Sequence, residues 1–217
     1  MATTAALVRV RKLIKPCEND IDRSARTLAD AFKGDIFTKN LLGGSTDEAL
    51  AFHLQRCQIA AAVVGGEVYV AEIPSGIQLA GDGGPETENR IVGAALWFPP
   101  GREMLDSNEQ LQAGPADFLA LLEPSLLDWW KAVFLPGFST LADKAYGKGG
   151  KLNSWHLLQI GVHPMYQRRG IASHLIEVVK KKALSSNSII TLEAETELNV
   201  RLSREWLCLY RLSSTSG

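Results

Sequence analysis

Apolar and polar residues alternate near the start of the chain. Val8, Val10 and Ile14 fall on one side of a period-two pattern and Arg9 and Arg11 on the other, which predicts a half-buried strand. Pro16 breaks it. The period then becomes helical, with Ile21, Ala25, Leu28, Ala29 and Phe32 on one face and Asn19 or Asp20 as the cap. "GDIFTKNLLGGSTDE" reads as a loop, and Ser45 to Asp47 as the cap of a second helix reaching about Val63. A Gly-Gly turn leads to a strand over Val68–Ile73. The polar loop "GDGGPETEN" leads to another strand, "RIVGAALWFPPG", ended by two prolines. Strands joined through turns predict an antiparallel hairpin.

The next stretch holds at least two helical patterns, interrupted at Pro115, Pro124 and Pro136. Its aromatics Trp129, Trp130, Phe134 and Phe138 suit either the wall of a substrate pocket or a small helical subcore. "SWHLLQIGV" then reads as an apolar strand. An amphipathic helix with Ile171, Leu175, Ile176, Val178, Val179 and Ala183 on one face follows it, and then a strand over Ser188–Thr196. Hairpins combined with one strand–helix–strand unit predict an α/β fold, with a mixed, mostly antiparallel central sheet and helices on both faces.

Composition narrows the function classes. At 217 residues and 46% hydrophobic, the chain can bury a full core as one domain. A net charge of -1 supplies no global field for nucleic acid or an anionic membrane. Arg168, Arg169 and the three lysines after Val179 are too few, and lack the aromatic platform, for nucleic-acid binding. Cys17, Cys57 and Cys208 are scattered and odd in number, which predicts packed thiols rather than disulfides or zinc ligands. No apolar run approaches the roughly 20 residues of a membrane span. The basic, acid-free start "MATTAALVRVRKLIK" permits a transit peptide, but its alternation favours a strand. The expected location is intracellular, in the cytoplasm.

The chemistry concentrates in "LQIGVHPMYQRRGIASHLIEVVKKKA". Pro164 stops the strand, because it cannot donate to a ladder. Gln167, Arg168, Arg169, Gly170, Ile171 and Ala172 then occupy the turn and the first helical residues. The first amides of a helix lack partners and carry partial positive charge, so several can converge on one phosphate. Gly170 and Ala172 keep side chains out of its way, and the two arginines add charge at the rim. An ordinary turn with two solvated charges is the alternative.

Gln167-x-x-Gly170-x-Ala172, following "IGVHP" and leading into this helix, resembles the acyl-CoA signature of the GNAT superfamily of N-acyltransferases. The resemblance covers about residues 155–201. It implies a single domain over 1–217, with a helical insertion at about 101–150, the acyl-CoA motif at about 155–184 and a tail over 200–217. It implies acetyl-CoA as the acyl donor, with the diphosphate on the helix start and the pantetheine arm beside Ile160, Gly161 and Val162. It also implies transfer to an amine of a small molecule or protein. Gly161 independently suggests a bulge or a close backbone approach.

Freeing the lone pair of a lysine-like amine at neutral pH costs roughly 4–5 kcal/mol, and of an α-amine only about 1. A base is therefore expected for the first. Glu193 and Glu195, on one face of the last strand, are the candidates. His156 reads as a satisfied structural histidine and His163 as a turn residue. The resemblance assigns Asn199 a contact with the pantetheine. Family members follow that Asn with a Tyr, but here Ser203 stands in its place and no Gly-Phe follows. The expected ending is thus altered or truncated, leaving the last strand's edge unpaired. A CoA-binding domain with little or no catalysis is the alternative function.

Overall fold

The computed structural model describes residues 7–77, 88–194 and 200–201. Glu195, Asn199, Ser203, Cys208 and the end of the expected last strand lie outside the described residues. The elements in chain order are β1 (Arg9–Lys12), α1 (Glu18–Ala31), α2 (Ile36–Leu41), α3 (Glu48–Gly65), β2 (Glu67–Ile73) and β3 (Arg90–Phe98). Then come α4 (Asn108–Gln112), α5 (Pro115–Ala120), α6 (Pro124–Trp129), a π-helical turn (Trp130–Phe134) and α7 (Leu135–Tyr146). The last are β4 (Trp155–Val162), a 3₁₀ turn (Pro164–Tyr166), α8 (Ile171–Ser185) and β5 (Ile190–Leu192).

The strands form one sheet in sequence order, β1-β2-β3-β4-β5. The first four pair antiparallel, while β5 lies parallel to β4 because α8 carries the chain back across the sheet. The mixed, mostly antiparallel sheet with helices on both faces is therefore present. On one face Ala95, Trp97, Leu157 and Val162 pack against Ile171, Leu175, Ile176 and Val179 of α8. On the other, Ala94, Leu96 and Phe98 pack against Ile21, Ala25 and Leu28 of α1 and Ile59 and Ala62 of α3. Strands covered on both faces read as continuous apolar runs, as β3 does.

Several expectations shift in detail. β1 stops at Lys12 and the chain turns, with Lys15 at φ 47, so Ile14 is 75% exposed and Leu13 is the buried residue. The N-cap of α1 is Cys17 rather than Asn19 or Asp20, which lie inside the first turn, where the Asp20 carboxylate pairs with Arg11 at 2.9 Å. The stretch read as a loop contains α2, capped by Asp35 accepting from the Thr38 amide at 2.7 Å. Cys57 is packed as expected, whereas Cys17 is exposed.

Trp130 and Phe118 join Leu41, Leu54 and Cys57 in a subcore outside the sheet, where the Trp130 indole donates to the Leu41 carbonyl at 2.9 Å. Pro136 lacks the amide a regular helix would use there. The preceding turn widens, and Leu135 donates to Trp130 five residues back. Beside this subcore Trp129, Leu126, Leu121 and Leu50 line an open pocket of ≈ 820 Å³.

Candidate functional site

The edge of β4 carries the site. His163 donates its amide to Val92 on β3 at 2.9 Å. Strand alternation therefore turns the amides and carbonyls of Ile160 and Val162 to the opposite edge. β5 pairs with that edge only at Trp155, His156 and Leu157. Beyond Leu157 no described strand continues the pairing, so the two parallel strands part like a fork. The cause sits in β4. Leu96 faces Gln159 and Trp97 faces Leu157, which leaves Leu158 as an extra residue. Such a bulge bends its strand and increases local twist. The expected bulge is thus at Leu158, three residues before Gly161.

Gly161 answers the other half of that expectation. A Cβ there would stand 2.8 Å from Leu28 Cδ2 and 3.0 Å from Ala31 Cβ. The close approach at Gly161 is that of α1, so this glycine seats the helix against the forked strand.

The turn after β4 opens towards the start of α8. Arg168 has φ 59 and Gly170 φ 78, two left-handed residues within three positions. Holding a non-glycine there costs about 1–2 kcal/mol, and such strain tends to persist where it shapes a site. Gly170 is the N-cap of α8 and brings no side-chain cap. Among the described residues, no group accepts the amides of Gly170, Ile171, Ala172 or Ser173, and Gly170 and Ser173 are exposed. Gln167 donates from Nε2 to the outward Val162 carbonyl at 3.1 Å, tying the turn to the open edge. Arg169 lies over the Tyr166 ring at 5.7 Å, and Arg168 is exposed beside it. A short acidic or anionic group running from the fork to the α8 start would meet outward backbone groups and then unaccepted amides in succession.

At the base of the fork lies a polar cluster. Glu193 follows directly after β5, whose pairing stops where β4 bulges; the expected strand to Thr196 does not extend through Glu193 and Ala194. His156 is 2% exposed. Its Nδ1 lies 3.3 Å from Thr191 Oγ1, and its Nε2 lies 3.4 Å from Glu193 Oε2. That Nε2 and Glu193 Oε1 have no hydrogen-bond partner among the described residues. His156 is therefore not the satisfied histidine expected from sequence. Burial, helped by Lys151, pushes it down to about 3, with a hydrogen bond at Thr191 acting the other way. Burial holds the Glu193 carboxyl above the usual glutamate range, while Lys151, 4.0 Å away, acts the other way. Tyr146, at the end of α7, donates its hydroxyl to the Leu192 carbonyl.

Gln159 is the residue sequence reasoning missed. It pairs with Leu96, which lies on the α1–α3 face, and His156 pairs with Phe98 on that same face. The Gln159 Oε1 is buried without a partner among the described residues. The available signal was two polar interruptions, His156 and Gln159, in the apolar run "WHLLQIGV". His163 is a turn residue as expected, its Nδ1 accepting from the Met165 amide at 3.3 Å.

Among the described residues no helix is long and apolar enough to cross a membrane. No curated protein matches the chain. Among solved structures, a Corynebacterium glutamicum protein described as histone acetyltransferase HPA2 and related acetyltransferase aligns with TM-score 0.56 at 19% identity, covering 91% of this chain and 82% of that one. A mosquito arylalkylamine N-acetyltransferase like 5b aligns with TM-score 0.51 at 13% identity, covering 91% and 81%. Both likenesses concern the fold. The sequence profile of the acetyltransferase (GNAT) family matches residues 86–204, more than half of the chain and all of the fork and the α8 turn. The chain belongs to the GNAT family of acetyltransferases.

Proposed function

We propose that the protein transfers an acetyl group from acetyl-CoA to an amine by direct attack. The observation that carries this reading is the set of unaccepted amides at Gly170–Ser173, placed at the end of an open strand edge. Gly170, Ile171 and Ala172, with Gln167, Arg168 and Arg169 around them, hold the diphosphate. Ile160 and Val162 offer outward amides and carbonyls to the pantetheine arm, and Gly161 keeps α1 seated behind them. Asn199 and Glu195, outside the described residues, are proposed as a pantetheine contact and a second candidate base.

The thioester then reaches the bulge at Leu158. The outward Ile160 amide is the nearest backbone donor on that edge for a developing oxyanion. Glu193 accepts the amine proton, directly or through one water, and its raised affinity for that proton suits it to the task. Gln159 Oε1, on the face shared with His156, is available to an amine N–H. The acceptor is a small-molecule or protein amine.

A thiol-release assay with acetyl-CoA and a panel of arylalkylamines, polyamines and lysine peptides tests this. Release above the hydrolysis background with at least one amine is expected. Saturable acetyl-CoA binding with no release for any amine would overturn the transferase reading in favour of a CoA-binding domain.

A further inference from the structure

The protons of the fork cluster can be counted. Ser154 Oγ donates to the Lys151 carbonyl at 2.7 Å, which uses its one proton. Its contact with Thr191 Oγ1 at 2.6 Å must then be donated by Thr191. The Thr191 proton is spent in turn, so towards His156 Nδ1 at 3.3 Å the Thr191 oxygen can only accept. A neutral imidazole has one proton, and the hydroxyl chain places it on Nδ1. Nε2 is left as a bare lone pair, in a side chain 2% exposed, facing Glu193 Oε2 at 3.4 Å. Two acceptors facing each other in a buried place repel unless one of them carries a proton.

We infer that His156 and Glu193 act as a pair: Nδ1 keeps the imidazole proton, and Nε2 accepts a hydrogen bond from the Glu193 carboxyl whenever that carboxylate takes up a proton. His156 is thus a positioning residue for the base proposed above, and the inference rests on that reading. In the reaction the amine nitrogen bonds the acetyl carbon and the carbon–sulfur bond breaks. The proton lost by nitrogen goes to the Glu193 carboxylate, is steadied there by His156 Nε2, and is handed to the departing thiolate sulfur. The carboxylate is thereby restored. The 3.4 Å separation is longer than a formed hydrogen bond and closes when the carboxyl is protonated. Among the described residues the other titratable groups acting on the pair are Lys151, before β4, which favours the carboxylate, and Tyr146, at the end of α7. The Tyr146 hydroxyl is committed to the Leu192 carbonyl and so does not supply this proton. Burial lowers His156 and raises Glu193, so on acidification the carboxyl takes the first proton.

The test is ¹⁵N NMR of the full chain labelled at histidine, with His156 identified by loss of its signals in His156→Gln. The expected result at neutral pH is a proton on Nδ1 and an unprotonated Nε2. As pH falls, the Nε2 signal should shift with Glu193 protonation while Nδ1 keeps its proton. Glu193→Gln should abolish that step, Thr191→Ser should preserve the tautomer, and Thr191→Val should mix it. A proton on Nε2 at neutral pH, or an unchanged Nε2 titration in Glu193→Gln, would overturn the pair. A thermal shift with acetyl-CoA on the same samples separates the two claims. Its absence would count against the transferase site and leave the tautomer result standing.

Discussion

Gly161 and Gly170 sit nine positions apart and do opposite things. Gly161 is closed in by Leu28 and Ala31, whereas Gly170 opens the start of α8 with a left-handed φ of 78. Gly161→Ala should destabilise the fold by about 1–3 kcal/mol through overpacking, read from urea denaturation. Gly170→Val should leave most of the fold intact, at a cost of about 1–2 kcal/mol for the left-handed backbone, while abolishing the thermal shift with acetyl-CoA. Glu193→Gln should retain that shift and lower thiol release by roughly 10²–10⁴-fold. At this scale the motif turn was legible, because glycine, proline and the arginines constrain backbone and charge locally. The state of His156 was not. Its unpartnered Nε2 depends on Thr191 and Ser154, residues whose proximity only the parallel β4–β5 pairing creates.

The elements tell a similar story through length and register. α8 was readable from its apolar period, and Leu175 at its centre is fully buried between the helix and the sheet. Leu175→Ala should cost about 2–5 kcal/mol in a chemical denaturation experiment, with the spread set by how far the cavity relaxes. The six-residue α2 was missed because a single turn and a half gives no periodicity to read, and its cap, Asp35, lies among turn residues. The bulge at Leu158 was equally hidden. Composition marks it nowhere, since it arises from a mismatch between β3 and β4 in register. The described pairing of β5 stops at the level of that mismatch, so the feature with most consequence for the site is one of pairing rather than of any single residue. Gly161 suggested a bulge from sequence, and the bulge is on the right strand but three residues earlier.

For the whole molecule, the buried His156 couples folding to pH. Its folded value of about 3 lies below the unfolded 6.5, so the unfolded chain binds the extra proton first. The contribution is fully present above about 6.5 and is lost as pH falls towards 3. Glu193 works the other way: its raised folded value means that acid relieves, and rising pH through that value restores, the cost of the buried carboxylate. Denaturation midpoints measured across this range should fall with acid in the wild type, and less steeply in His156→Gln. The two-faced sheet itself was legible, because alternating and continuous apolar runs report how many faces of a strand are covered. The third, helical subcore around Trp130 appeared in sequence only as an excess of aromatics with two possible uses. Trp130 is buried in that subcore, and Trp129, packed against it, also lines the open pocket beside it.

The amide cradle is most directly tested by recording backbone ¹H–¹⁵N spectra of the full chain during titration with acetyl-CoA. Saturable shifts centred on Gly170, Ile171, Ala172 and Ser173, together with Ile160 and Val162, are expected. Binding that leaves those amides unmoved while shifting others would contradict the placement of the acyl donor, and with it the direction of transfer along the fork.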